Sequence, residues 1–177
     1  MLNGGTEAPR ILVRPRTDTD IPSTSTALVA VHASDGYPVE GVEHPEHWLT
    51  PEGLIQSWVA ELAGKIVGHV CITRARDEAA VDLYLEQSEK RRDEVAVMAR
   101  LFVIPEARRN STGERLVREA ATYAQKHGLA LVGDVMAKDA SAIRLYERLG
   151  CQIIGTTRHS YGEGQETSAL CFVAPTD

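Results

Sequence analysis

The segment from Val103 to Leu116, VIPEARRNSTGERL, constrains the fold more than any other part of the chain. The apolar run from Val97 to Val103 predicts a strand. It enters Pro105, then a basic turn of small residues, then a helix opening at about Thr112 to Glu114. Such a connection belongs to an α/β domain, where Pro, Asn, Ser and Gly turn the chain between strand and helix. It also aims several backbone N–H groups at one point, because the first turn of a helix has no internal acceptors and carries partial positive charge. The segment therefore points to a phosphate or pyrophosphate ligand as well as to a fold class.

The flanking sequence supplies the remaining elements. Ile11 to Arg14 reads as a short first strand, and Asp18 and Asp20 precede a Ser/Thr-rich stretch into Ala27 to Val31 that reads as a capped helix. His32 to Pro51 holds Gly, Pro and His without a sustained period and is expected to be a long loop or broken helix. Trp58 to Thr73 predicts a hairpin turning at Ala63-Gly64-Lys65. Arg74 to Glu94 is charged and weakly patterned; Val81, Leu83 and Leu85 alternate, and the stretch is expected to be irregular. Val95 to Val103 is the fourth strand. The next helix should bury Leu116, Val117, Ala120, Ala121 and Ala124 and stop at Gly128. Leu129 to Val135 is a fifth strand and Asp139 to Leu149 a helix with Asp139 as its cap and Gly150 beyond its end. Gln152 to Thr157 and Ser168 to Ala174 form an antiparallel pair around Tyr161-Gly162-Glu163-Gly164.

A chain of 177 residues is one domain of ordinary size. Residues 1–9 are expected to be a flexible leader and residues 10–177 the domain. The apolar runs are far shorter than the roughly 20 residues of a membrane span, and MLNGGTEAPR has no apolar signal core, so a cytoplasmic protein off the membrane is expected. A net charge of −6 argues against a nucleic-acid surface. Cys71, Cys151 and Cys171 form no C-x-x-C pair and the six histidines show no ligand spacing, so neither metal nor disulfide framework is expected.

A second segment joins the first. VMAKDASAIRLYERLGC, Val135 to Cys151, follows at a spacing that makes the two matches specific together. Val103, Pro105, Arg108, Ser111, Gly113 and Leu116 resemble the V-x-P-x-x-R/Q-x-x-G-x-G/A-x-x-L signature of the GNAT superfamily of N-acyltransferases. Val135, Ala142, Leu145, Tyr146 and Gly150 resemble that family's V-x-x-x-N-x-x-A-x-x-L-Y-x-x-x-G-F helix. The resemblance covers roughly residues 10 to 173.

The resemblance implies a single-domain α/β fold: a mixed sheet of six to seven strands, with the fourth and fifth splayed apart, flanked by about four helices. Acetyl-CoA would lie in the splay as cosubstrate, with no metal. Its pantetheine would meet the backbone of Leu101, Phe102 and Val103, where an N–H would polarise the thioester carbonyl. Its pyrophosphate would meet the turn Arg108, Arg109, Asn110, Ser111, Thr112, Gly113 and Glu114, with Arg108 or Arg109 adding charge. Asp139 and Ser141 would flank the pantetheine.

This chain departs from the family pattern at two places of consequence. Ser111 stands where Gly is usual and is expected to be right-handed, with its hydroxyl open to a phosphate. Asp139 replaces Asn and removes an amide donor while keeping the helix cap.

By the same resemblance Tyr146 would protonate the departing thiolate of CoA. A thiol near 8.5 and a phenol near 10 make that transfer reasonable. Glu94 is the first candidate for general base and Asp93 the second, beside the reading of both as solvated surface acids. Arg100 shares a strand face with Glu94, Ala96, Met98 and Phe102 by alternation and either faces the cleft or pairs with an acid. The acceptor site would draw on His32, Asp35, Tyr37, His44, His47 and Trp48, groups suited to a small polar amine.

The expected function is acetyl transfer to a primary amine of a small molecule, or of a peptide, by direct attack. The alternative is a non-catalytic acyl-CoA-binding module. A nucleotide-binding protein is disfavoured by the lack of both G-x-x-x-x-G-K-S/T and G-x-G-x-x-G. Family members commonly pair, so a homodimer is a further expectation.

Overall fold

Apolar alternation along the chain is realised as seven strands in one mixed sheet, in the order β1-β2-β3-β4-β5-β7-β6. The computed structural model describes residues 10–161 and 164–176. The leader expected over residues 1–9, and Gly162 and Glu163 of the last turn, lie outside the described residues. The strands are β1 (Ile11–Pro15), β2 (Leu54–Leu62), β3 (Lys65–Arg74), β4 (Val95–Val103), β5 (Ala130–Met136), β6 (Gln152–Tyr161) and β7 (Gln165–Val173). The helices are α1 (Ile21–Asp35), α2 (Pro45–Leu49), α3 (Ala79–Gln87), α4 (Thr112–Lys126) and α5 (Ala140–Arg148). Only β4 and β5 pair in parallel, joined by the crossover helix α4; the other pairs in the described sheet are antiparallel.

Three expectations are corrected. Arg74 to Glu94 is not irregular: α3 occupies Ala79–Gln87 and packs on β5, β6 and β7. Ala80 and Val81 are buried, and Leu83 fills the space over Gly155, where a Cβ would lie 2.8 Å from Leu83 Cδ1. This helix is held by burial against distant strands, which its own weak periodicity does not announce.

The second correction concerns α1. Asp20 precedes it without capping it through its side chain. Its carboxylate is instead gripped by Arg14 at 2.7 and 2.8 Å and accepts the Thr17 N–H at 2.7 Å. That pairing holds the Asp20 carboxyl well below the usual carboxylate range. The third concerns the expected long loop, which is shorter. Helix α1 runs on to Asp35 and stops at Gly36, whose φ of 71° closes the helix end, and α2 interrupts what remains.

Helices cover both faces. A Cβ on Gly68 would lie 3.0 Å from Leu116 Cδ1 of α4, so α4 rests directly on the face to which Gly68 points. The next residue, His69, points to the opposite face. There it stacks on Phe102, and its Arg16 partner bonds the Leu49 carbonyl at the end of α2.

The parallel pairing of β4 with β5 is short. It includes Val95 with Ala130, Ala96 with Leu131 and Val97 with Val132, and then ends. Strand β4 continues to Val103 and β5 to Met136. The two strands thus part in the middle of the sheet, which is the predicted splay.

Candidate active site

The turn after β4 is a 3-10 segment, Pro105–Asn110, followed by Ser111 and the first residues of α4. The first hydrogen bond inside α4 runs from the Arg115 N–H to the Ser111 carbonyl at 3.0 Å. The N–H groups of Thr112, Gly113 and Glu114 therefore precede the helical ladder and point out of the helix end. Thr112 is fully buried and its hydroxyl donates to the Ala107 carbonyl at 2.9 Å, which closes the turn from inside.

Ser111 is left-handed, with φ 57° and ψ 24°. This overturns the right-handed expectation. The chain must reverse its winding between the 3-10 segment and α4, and the position takes the glycine-type conformation despite its Cβ. Gly113 shows the converse. Its backbone is ordinary, and an added Cβ would meet Leu145 Cδ2 at 3.5 Å and Val103 Cγ2 at 3.9 Å, both normal contacts. The fold alone does not require glycine there, whereas close approach of a ligand to the helix end would.

Arg108 does not project freely. Its Nε donates to the Val103 carbonyl at 3.0 Å, and its Nη2 pairs with Asp35 at the end of α1. The guanidinium holds the Asp35 carboxyl below its ordinary range. Arg109 and Asn110 are exposed on the turn, and Glu114 turns its carboxylate to Arg118 at 2.8 Å.

Past the last β4–β5 pair opens a cavity of about 920 Å3. One wall is β4 from Val97 to Leu101, another is Asp134, Val135 and Met136 of β5, and Asp139, Ala142 and Tyr146 close it from the α5 side. Asp139 caps α5 as expected, accepting the Ala142 N–H at 3.0 Å. Tyr146 is 5% exposed and stacks on Phe172 at 4.3 Å. Burial, and after it the neighbouring Tyr37 phenol, raise the pKa of the Tyr146 hydroxyl well above the ordinary value for tyrosine. The hydroxyl thus keeps its proton at neutral pH and is a weaker acid than a free phenol.

Sequence reading missed what fixes that ring. Gly133 is the first β5 residue after the splay, and a Cβ there would lie 2.7 Å from Phe172 Cζ. The missing side chain leaves room for Phe172, and Phe172 carries Tyr146. A lone glycine inside a strand pattern was the available signal.

Also missed was His69. It is fully buried on β3, with Nδ1 2.9 Å from the Arg100 carbonyl and Nε2 2.9 Å from Arg16 Nη1. Because arginine can only donate, Nε2 accepts and Nδ1–H donates to the carbonyl. Burial drives the pKa of this imidazole down to about 3, so it is neutral.

The carbonyl it holds belongs to a bulge. His69 pairs with Phe102 and Cys71 with Ala99, so two residues of β4, Arg100 and Leu101, oppose one of β3. Arg100 takes φ 60° there. The bulge breaks the expected alternation, and Arg100 no longer follows Ala96 and Met98. Its guanidinium lies 4.7 Å from the Trp48 ring centroid and 3.6 Å from Glu40, lining the cavity. Both readings of Arg100 hold at once: it lines the cleft, and it makes a loose ion pair with Glu40.

The remaining wall comes from the segment after α1 and from α2: Tyr37, Glu40, Glu43, His44, His47 and Trp48. Tyr37 meets Trp48 edge-on at 5.7 Å. His32 and Asp35, expected here, do not line the cavity. Nor does Glu94, which ends a 3-10 segment (Arg92–Glu94) just before β4, at the end of that strand away from the turn into α4. Its carboxylate accepts the Arg91 N–H at 3.1 Å and lies 3.9 Å from Lys90, and Asp93 pairs with Arg91. Ser141 is exposed outside the cavity lining, and the Phe102 ring is turned to Trp48 and His69. Among the described residues no group of His, Cys, Asp and Glu is arranged to hold a metal ion, and no helix is long and apolar enough to cross a membrane.

Solved structures share this architecture. A ribosomal-protein-alanine N-acetyltransferase from Brucella melitensis aligns at a TM-score of 0.70 and 21% identity, covering 92% of this chain and 98% of its own. An N-acetyltransferase from Staphylococcus aureus aligns at 0.72 and 14% identity, covering 95% and 99%. Arabidopsis thaliana NAA60, solved in complex with acetyl-CoA, aligns at 0.70 and 21% identity, covering 92% and 97%. Comparison with curated protein sequences gives no match. The model of the acetyltransferase (GNAT) family matches residues 25–151, well over half of the chain, and with the splayed strands, the turn between β4 and α4 and Tyr146 on α5 this protein belongs to that family of acyltransferases.

Proposed function

We propose that the protein transfers an acetyl group from acetyl-CoA to a primary amine of a small molecule by direct attack. The observation that carries this reading is the continuity of the splay. The gap between β4 and β5 begins at Met98 and Gly133, opens on Tyr146, and lies beside the strand that leads into the phosphate turn. The residues fit the cosubstrate: Gly113 puts no side chain at the helix end, and β4 past Val97 offers backbone groups to an extended chain lying in the gap.

Bound acetyl-CoA supplies the acetyl thioester. Around it the N–H groups at the head of α4 neutralise pyrophosphate charge, and the backbone of the Arg100–Leu101 bulge stands where a thioester carbonyl would be polarised. The acceptor nitrogen bonds to the acetyl carbon, the C–S bond breaks, and Tyr146 gives its proton to the thiolate. The ammonium form of the acceptor loses one proton before attack and the amide nitrogen a second afterwards. One of these restores Tyr146 and the other leaves to solvent. Glu94 and Asp93 serve as surface acids in this reading, and the carboxylates of Glu40, Glu43 and Asp134 stand nearer the reacting space.

The test is calorimetric titration with acetyl-CoA of the wild type and of Gly113→Glu, followed by a thiol-release screen of amines. Binding lost in the variant and thiol release that depends on an amine are expected. Equal binding by Gly113→Glu would refute the phosphate turn. Binding without release from any amine would favour an acyl-CoA-binding module.

A further inference from the structure

On the acyl-transfer reading above rests the role of Arg100 in the acceptor half of the cavity, whose guanidinium is held in place by a loose ion pair and an aromatic ring but makes no hydrogen bond to the described residues. Arg100 sits in the left-handed region at the β4 bulge, its carbonyl pinned by His69, and this directs the side chain toward α2 and the cavity. Trp48 supports the guanidinium at 4.7 Å. The nearest carboxylate, Glu40, is 3.6 Å from Nη1, beyond hydrogen-bond reach, and its Oε1 already accepts the Trp48 Nε1–H at 2.8 Å. The Arg100 Nε is buried and has no hydrogen-bond partner among the described residues.

A buried donor without an acceptor is costly in a finished protein and useful in one awaiting a ligand. A guanidinium presents its Nε and Nη donors as a planar fork that matches both oxygens of a carboxylate. Arg76, the other arginine of the cavity wall, is already committed to Glu52 at 2.7 Å. The exposed Glu40 is a weak competitor, because a loose surface pair contributes little. Elsewhere the same cavity is lined by Glu43, Glu78 and Asp134, which suit a positive charge.

We infer that Arg100 binds a carboxylate of the acceptor, so that the substrate class is a primary amine carrying a carboxylate, an amino acid or a zwitterion of similar size. The amine nitrogen takes the acetyl group as described above, and the products are the N-acetylated acid, the free thiol and one proton. Arg100 takes no part in the bond changes; it decides which amines are held with their nitrogen at the thioester.

The test uses matched sets: L-amino acids, their amides and the corresponding decarboxylated amines, assayed by thiol release from acetyl-CoA. Wild-type protein should prefer the acids by about 10–100-fold in kcat/KM, the range of a hydrogen-bonded charge pair. Arg100→Gln should abolish that preference, and Arg100→Lys, which keeps charge without the fork, should retain part of it. Amides and decarboxylated amines used as well as the acids by wild type would overturn the inference and leave acyl transfer standing. So would a preference that survives in Arg100→Gln. Should that variant fail to bind acetyl-CoA, the wild-type comparison decides alone. Acetyl-CoA bound with no thiol release from any of the three sets would bring down both readings.

Discussion

Replacing Ser111 by glycine should make the protein more stable. The residue sits at φ 57° and ψ 24°, where a Cβ crowds the following carbonyl at a cost of roughly 1–2 kcal/mol. Its hydroxyl makes no capping hydrogen bond that would offset this. Glycine removes the crowding and gives the unfolded chain more freedom, which subtracts about 0.5–1 kcal/mol. The net gain is about 0.5–1 kcal/mol, or a rise of about 1–4 °C in Tm for a domain of this size. Ser111→Ala is the control, since it keeps the Cβ and loses only the unbonded hydroxyl; its Tm should stay within about 1 °C of wild type. Thermal melts and urea titrations of the three proteins at pH 7 measure this, and the urea slopes check that the unfolded states are alike. The turn already holds the left-handed conformation, so acetyl-CoA affinity of Ser111→Gly should match wild type within about threefold. A glycine variant no more stable than the alanine variant would refute the assignment of strain to this position.

Tyr146→Phe should lower kcat by about 10²–10⁴ while binding acetyl-CoA normally, as loss of a general acid requires; a fall of less than about tenfold would remove the tyrosine from that role. Gly133→Ala forces a Cβ to within 2.7 Å of the Phe172 ring and should cost about 1–3 kcal/mol in urea denaturation, and wild-type stability would contradict the packing that seats Tyr146. His69 stays neutral in the folded protein down to about 3, whereas the unfolded chain binds that proton below its ordinary 6.5. The unfolded state therefore holds more protons between those values, and stability falls as pH drops through the window, by at most about 1.4 kcal/mol per pH unit. His69→Gln should flatten that limb of a stability-against-pH curve, and an unchanged slope would mean the imidazole is not held neutral.

Much of the frame was legible residue by residue. Strand β4 and helix α4 begin and end where the apolar pattern, Pro105 and Gly128 place them, and Asp139 caps α5 as its spacing from Ala142 implies. These features depend on interactions within a few residues of chain: helical and strand periods, a cap reaching three residues on, a glycine closing a helix. Helix α3 was not legible, because its stability comes from β5, β6 and β7, which lie far along the chain. Glu94 was a candidate by its place beside β4; it sits in the 3-10 segment before that strand, drawn to Arg91 and Lys90 and outside the cavity lining.

Sequence by itself determined the succession of the seven strands, the position of the turn between β4 and α4 and the register of Tyr146 on α5, since each is written in short-range spacing. Tertiary structure alone decided the hand of Ser111, the bulge that turns Arg100 into the cavity, the burial of His69 between Arg16 and the Arg100 carbonyl, and the gap at Gly133 that seats Phe172 under Tyr146. His69 meets groups 53 and 31 residues away in the chain. Contacts at such separations arise only when the sheet closes, because the energy that selects them comes from burying groups that no local pattern brings together.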